Sequence, residues 1–182
     1  MHDALDKKWS APVRRLASGI EAGVVGGAAM LATLVSSSLL RGHAWWEVPN
    51  LLGSTFYGSR AFRLGASMAT VSGTAFHFVM TGTVGGLFGL ACGGVRQRRR
   101  LVLLGILAGV VWYYLAAAVF WNHINPLVPA YSAQPVTAFS HALFGACLGW
   151  MGQRFHAGTE EPEPEIPGES SGPVEESSIS RS

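Results

Sequence analysis

Three ionisable side chains, apart from those of cysteine and tyrosine, fall inside long apolar stretches of the sequence: Glu21, His77 and His141. Such groups are costly in hydrocarbon, so they are candidates for proton handling, ion binding or cofactor ligation. Glu21 follows Arg14 by about two helical turns, so it could also snorkel toward the lipid headgroups and pair with that arginine. The alternatives for Glu21 are therefore a surface ion pair and a proton or ion site.

The two histidines form a second candidate group. His77 and His141 each head a row of small residues at a spacing of four: Thr81, Gly85 and Gly89 after the first, Gly145 and Gly149 after the second. Such a row admits a neighbouring helix, and it also leaves room for a flat ring such as haem b, held by the histidines as axial ligands. Interhelical hydrogen bonding, haem ligation, binding of another metal and proton handling are all open for this pair.

Two further histidines lie between the apolar stretches. If the chain folds back on itself, four imidazoles could converge on a transition metal such as zinc or copper: His43, His77, His123 and His141. All four are far apart in sequence, so no ligand spacing within one segment supports this site. The sequence also lacks a nucleophile elbow, a zinc-protease helix and a phosphate-binding loop, so no catalytic residue is predicted.

The apolar stretches themselves predict helices that cross a membrane. The chain of 182 residues is 49% hydrophobic and 13% charged, whereas soluble domains average about 25% charged residues. Stretches over residues 17–40, 72–93, 101–121 and 135–152 have lengths that suit a bilayer. We therefore predict an all-α integral membrane protein in which four transmembrane helices form a bundle. A basic start before an apolar run also resembles a signal peptide, but the first run is too long for one.

The flanking segments predict the domain organisation and the orientation. We expect a cytoplasmic segment over residues 1–15, the membrane domain over 16–155, and a disordered acidic tail over 156–182. Nine Lys and Arg residues flank the spans on the side of the termini and three flank them on the other side. Both termini are thus predicted in the cytoplasm, with the bundle in the cell (inner) membrane. This places His77 and His141 at a shared depth in the outer leaflet, and nothing predicts a nucleic-acid partner.

Small residues at a spacing of four recur on every predicted span. They are Gly19, Gly23 and Gly27 on the first, Gly82 and Gly86 on the second, Gly105 and Gly109 on the third, and Gly145 and Gly149 on the fourth. Such rows let helix backbones approach closely. They favour a non-enzymatic structural or accessory role in the lipid bilayer, as a homo-oligomer or beside other membrane subunits. The alternatives are a haem- or metal-binding redox module using His77 and His141, and a small transporter with Glu21 and the histidines along its path.

Two sequence echoes predict an internal repeat. Residues 74–76 (Thr-Ala-Phe), followed by Gly82 and Gly86, recur 63 positions later as residues 137–139, followed by Gly145 and Gly149. Residues around Gly19 and Gly23 recur 86 positions later around Gly105 and Gly109. Two related helical hairpins with the same orientation across the membrane would explain both echoes.

Overall fold

The computed structural model describes residues 10–152, and this part of the chain contains helices and no β-strand. In chain order the elements are α1 (Ala11–Leu40), α2 (Glu47–Tyr57), a 3-10 helix (Gly58–Arg63), α3 (Met68–Cys92), α4 (Arg98–Leu115), a π-helical segment (Ala116–Phe120), α5 (Trp121–Ile124), α6 (Leu127–Tyr131) and α7 (Gln134–Met151). The predicted N-terminal segment lies mostly, and the predicted acidic tail entirely, outside the described residues.

Three of these helices are long and apolar enough to cross a membrane: α1, α3 and the continuous run Arg98–Ile124. The prediction of an all-α protein is thus confirmed for the described residues, and three of the predicted spans fall in helices that are candidates to cross a membrane. The fourth predicted span corresponds to α7, which carries the polar residues Gln134, Ser140 and His141 and is not one of these three helices. Helix α1 begins earlier than predicted, at Ala11, because Pro12 suits the first helical turn, where its missing N–H is not needed.

The four long helices pack in the order α3, α1, α7, α4. Helix α1 packs against α3 on one side and α7 on the other, and α7 also packs against α4, whereas α3 and α4 touch at few points. Phe144 and Leu148 of α7 fill the centre together with Ala22 and Met30 of α1 and Phe88 of α3. The two ends of this bundle differ. We call the end formed by residues 41–67 and 121–133 the cap end, and the opposite end, with Arg15 and Arg98, the arginine end.

Helices α1 and α3 are in backbone contact through glycine. A Cβ atom at Gly19 would collide with the carbonyl oxygen of Gly85, and one at Gly85 would lie 2.6 Å from the Cα atom of Gly23. Gly89 lies in the same way against the carbonyl oxygen of Arg15. A Cβ atom at Gly82, in contrast, would meet nothing closer than the Cγ2 atom of Ile20 at 3.7 Å. Among the glycines of α3 that face α1, Gly85 and Gly89 therefore make the close backbone contacts.

Helices α4 and α7 make a second contact of the same kind. Cβ atoms at Gly105 and Gly145 would each collide with the carbonyl oxygen of the other glycine. Gly109 lies against the carbonyl oxygen of His141, and Gly149 against that of Leu101. All four glycines predicted on the third and fourth spans thus pack the bundle internally. Small residues are required here because any side chain would separate the two backbones.

Candidate functional site

A cavity of about 560 Å³ lies between α3 and α4 at the cap end. Met30 of α1 and Phe144 of α7 form its inner wall, and Phe76 of α3 and Trp112 of α4 form its sides. Leu51 of α2 is among the residues that line it from the cap. A bound water occupies about 30 Å³, and small-molecule sites measure about 300–1,000 Å³. The cavity therefore has the size of a molecule and far exceeds that of a single ion.

His77 of α3 and His141 of α7 both line this cavity, and they are only 6% and 7% exposed. The Nε2 atom of His77 lies 2.9 Å from the carbonyl oxygen of Gly27 on α1. The Nδ1 atom of His141 lies 2.8 Å from the carbonyl oxygen of Thr137, one turn earlier on α7. A carbonyl oxygen can only accept, so each of these nitrogens must carry the proton. In the neutral rings, Nδ1 of His77 and Nε2 of His141 keep their lone pairs.

The two histidines occupy different positions relative to the glycine contacts of their helices. In the α1/α3 contact Gly23 faces the carbonyl oxygen of Thr81, and in the α4/α7 contact Gly109 faces that of His141. Thr81 and His141 thus occupy corresponding places, and His77 lies one turn closer to the cap end. Relative to the glycine contacts, the two imidazoles therefore lie about one helical turn apart. The Thr81 hydroxyl donates to the carbonyl oxygen of His77 at 3.0 Å, in the same way as His141 donates to Thr137.

Aromatic rings line the side of the cavity between α3 and α4. The rings of Phe76 and Phe120 are nearly parallel, with centroids 6.4 Å apart, and Trp121 meets Phe76 edge-on at 6.1 Å. Trp112 contacts Phe120 at 6.5 Å. Phe120 ends the π-helical segment, whose wider turn changes the direction of the residues that follow it, and such turns are frequent at functional sites. The wall is therefore suited to a flat apolar ring.

A buried amide holds the first part of the cap in place. The Asn50 side chain donates to the carbonyl oxygens of Ala61 and Gly65 at 3.0 and 2.7 Å. Its own oxygen accepts from the Thr70 hydroxyl at 2.6 Å. These bonds join α2, the 3-10 helix and the start of α3. Sequence analysis did not identify Asn50, because its partners are defined only by the fold.

A second buried amide joins the two halves of the cap. Asn125 donates to the hydroxyl oxygens of Ser54 and Thr55 at 2.7 and 3.2 Å. Its own oxygen accepts from the backbone N–H of Leu127 at 3.2 Å, which starts the turn at Pro126. Asn followed by Pro, as at Asn125 and Pro126, is typical of a turn. The contact with α2, about 70 residues earlier, had no signal in the sequence.

Charged groups occur only at the rim of the cavity lining within residues 10–152, where Arg41 and Glu47 contribute. The Nδ1 atom of His43 lies 3.0 Å from a Glu47 carboxylate oxygen, and the other oxygen accepts from the Ala44 N–H at 2.9 Å. His43 lines the cavity at this rim. The deeper walls present uncharged polar groups and apolar side chains.

The remaining predicted site residues lie elsewhere. The Nδ1 atom of His123 is 2.7 Å from the carbonyl oxygen of Val119, and His123 is exposed and outside the cavity lining. Glu21 is exposed on α1 and does not line the cavity. Between Ser10 and Gly152 no three His, Cys, Asp or Glu residues are grouped so that they could hold a metal ion. The structure thus brings His77, His141 and His43 to one cavity and leaves His123 and Glu21 outside it.

The rows of small residues below the histidines do not fit a haem. Gly85 lies against the backbone of α1 and Gly145 against the backbone of α4. A ring on either row would have to displace a helix. His77 also uses its Nε2 atom for the bond to Gly27. The residues of these two rows are thus committed to helix packing.

The described residues form a helical bundle with three candidate membrane-spanning helices and one large cavity at the cap end. No protein-family model matches the chain, and neither curated proteins nor solved structures gave a match.

Proposed function

We propose that this chain is a four-span membrane protein that binds a small amphipathic molecule in the cap-end cavity and has no catalytic activity of its own. The observation that carries the proposal is the cavity itself. It has the volume of a small-molecule site, and its lining combines apolar walls with two buried imidazoles. Sites for small molecules typically have this composition, in which a few polar groups orient a ligand among apolar side chains.

Helix α7 is the fourth span in this proposal. It packs against both α1 and α4, and its two glycines lie against the backbone of α4. The backbone contacts of Arg15 with Gly89 and of Leu101 with Gly149 put the lower ends of both helix pairs at the arginine end. The excess of arginine there makes this end cytoplasmic by the positive-inside rule. The cavity then lies in the outer half of the bilayer.

Reporter fusions test this topology. A reporter that is active only outside the cytoplasm should be active when it is fused after Gly65 and inactive when it is fused after Gly152. Activity at Gly152 would mean that α7 does not cross the membrane.

The two helix pairs support an internal duplication. The α4/α7 contact repeats the α1/α3 contact with Gly105 in place of Gly19, 86 residues later, and Gly145 in place of Gly85, 60 residues later. The sequence echo at 63 positions is thus one turn out of step with the contacts, whereas the echo at 86 positions agrees with them. Two hairpins of common origin, each closed by a glycine contact, explain this recurrence.

A binding role agrees better with these contacts than an oligomer built on the glycine rows. Gly19, Gly85, Gly105 and Gly145 face one another within a single chain, so they are not available to a second copy. An accessory role beside other membrane subunits would use different surfaces. A transport path that joins Glu21 to the histidines finds no support, because Glu21 lies outside the cavity lining.

Cavity filling tests the binding role. The full chain is purified in mild detergent, and the small molecules that accompany it are extracted and identified by mass spectrometry. Val136 lines the cavity, so Val136→Trp should reduce the bound molecule at least tenfold. Leu103 is 66% exposed on α4, and Leu103→Trp is the matched control that should retain it. Equal retention by both variants, or a wild-type protein free of any such molecule, would contradict the proposal.

A further inference from the structure

We infer that the ligand of this cavity is an uncharged amphiphile whose hydroxyl groups donate hydrogen bonds to His77 and His141, with a flat ring of the dihydroxybenzene or dihydroxynaphthalene type. This inference rests on the proposed function. It follows from the state of the two imidazoles, the position of the charges and the shape of the wall.

The two imidazoles determine which partner donates in each hydrogen bond to the ligand. His77 donates through Nε2 to Gly27, and His141 donates through Nδ1 to Thr137. The nitrogens left over, Nδ1 of His77 and Nε2 of His141, can only accept in the neutral rings. A ligand that carries only carbonyl oxygens offers them no donor. For such a ligand to bind through these histidines, each ring would have to give up its bond to the backbone or take up a second proton, and a buried positive charge is unfavourable.

The position of the charges excludes an ionised ligand. Arg41 and Glu47 are at the rim, and Glu47 already interacts with His43 and the Ala44 N–H. A charge placed beside the histidines would therefore lack a partner of opposite charge, and an unpaired buried charge is strongly unfavourable. The polar part of the ligand must be neutral. Hydroxyl groups satisfy this condition and supply the donors.

The wall indicates a flat ring and an apolar tail. Phe76 and Phe120 present nearly parallel rings, with Trp121 edge-on beside them. Aromatic side chains favour stacked or edge-to-face contacts with another ring. Met30 and Phe144 extend the apolar surface toward the centre of the bundle. A hydroxylated ring with a hydrocarbon tail matches both parts of this lining, and a reduced membrane quinone has this chemistry.

The reduced and oxidised forms of one compound give the sharpest test. Decylubiquinol and decylubiquinone share a skeleton, but only the quinol has two O–H donors. The full chain is placed in lipid nanodiscs under anaerobic conditions, and bound ligand is measured by equilibrium partition against empty nanodiscs. The quinol can donate one hydrogen bond to each histidine, and each bond is worth about fivefold in affinity, so the quinol should bind about 25-fold more tightly than the quinone.

Variants assign this preference to the histidines. His141→Phe removes one of the two acceptors, so the preference for the quinol should fall to about fivefold. His123→Phe is the matched control, because His123 is exposed and outside the cavity lining, and it should keep the full preference. The comparison within the wild-type protein requires no substitution, so a variant that fails to fold leaves the test intact.

The outcomes separate the two proposals. If the quinone binds as tightly as the quinol or more tightly, the ligand does not need to donate hydrogen bonds to the histidines. The inference is then wrong, while the cavity remains a binding site. If neither form binds but Val136→Trp still loses an accompanying molecule, the ring class is wrong and the proposed function stands. If neither form binds and nothing accompanies the wild-type protein, both proposals fail.

Discussion

The two seams that join the helix pairs differ, although the pairs themselves are built alike. At the α1/α7 seam, Gly26 lies directly against Phe144 and Cys147, so the helices meet closely. At the α3/α4 seam, the rings of Phe76, Trp112 and Phe120 lie between the helices at the cap end, and the cavity opens there. One seam therefore stabilises the bundle, and the other is free to form a site.

The residues that line the site also differ between the pairs. Helix α3 carries His77 followed by Thr81, and α7 carries Thr137 followed by His141, so the two residue types are exchanged. In both helices the second residue donates to the carbonyl oxygen of the first. His77 additionally bonds to α1, whereas the His141 bond stays within its own helix. Helices α3 and α7 thus present their imidazoles to the cavity from positions about one helical turn apart.

The largest effect should come from breaking a glycine contact. Gly145→Ala places a methyl group against the carbonyl oxygen of Gly105, and overpacking of this kind costs about 1–3 kcal/mol. Gly82→Ala is the control: its nearest neighbour would be 3.7 Å away, and alanine favours the helix. In detergent, the unfolding temperature should fall clearly for Gly145→Ala and should not fall for Gly82→Ala. Equal losses would mean that the α4/α7 contact is not as close as described.

The cap should be the next most sensitive region. Asn125→Ala removes two bonds to Ser54 and Thr55 and leaves the buried Ser54 hydroxyl and the half-buried Thr55 hydroxyl with fewer partners, which costs about 1–2 kcal/mol. Hydrogen exchange of the α2 amides should become faster, while that of α1 is unchanged. Asn122→Ala is the matched control, since Asn122 is exposed and bonds only to Ala118 within its own segment. Unchanged exchange in α2 would show that Asn125 does not hold the cap.

The two histidines should differ in their contribution to stability. His77→Phe removes an interhelical bond, which is typically worth about 1 kcal/mol in a membrane bundle. His141→Phe removes a bond within one helix, so we expect a smaller loss. The measurement is the unfolding temperature, with about 2–4 °C lost for each kcal/mol. A larger loss for the His141 variant would reverse the assignment of roles.

The smallest effect should occur at the arginine end. The Arg98 guanidinium lies 3.4 Å from the ring centroid of Trp150 and joins the start of α4 to the end of α7. Such a contact at an exposed ring contributes about 0.5–1 kcal/mol. Arg98→Gln should lower the unfolding temperature slightly, and Arg99→Gln should be neutral. If both variants lower the unfolding temperature equally, the effect comes from the loss of a positive charge and not from the contact with Trp150.

The sequence allowed the helices to be predicted because apolar length is a local property. The first three predicted spans are helices long and apolar enough to cross a membrane, and the predicted glycines of α1, α4 and α7 lie in helix contacts. The sequence could not show that Gly85 and Gly89 are the residues of α3 in contact with α1. Three overlapping pairs of glycines on α3 have the same spacing, and only the position of the neighbouring helix distinguishes them.

The site depends on non-local geometry and was predicted less completely. His77 and His141 were identified because an ionisable group in an apolar stretch is conspicuous. The aromatic wall was not, since Phe76 and Phe120 are ordinary residues of apolar helices until the fold brings them together. Asn50 and Asn125 were missed for the same reason, as their partners belong to other segments.

The π-helical segment has a consequence for how such a cavity can arise. A π turn holds one residue more than an α turn, so the Ala116–Phe120 segment takes up an extra residue while the helix stays continuous. If the same residues formed a regular α-helix, the residues at the end of the segment and beyond it would rotate by about 100° around the axis of α4. Phe120 and Trp121 would then no longer face Phe76. The ring-lined wall thus depends on this one turn, so a local change between a π turn and an α turn is enough to gain or lose the site while every side chain stays the same.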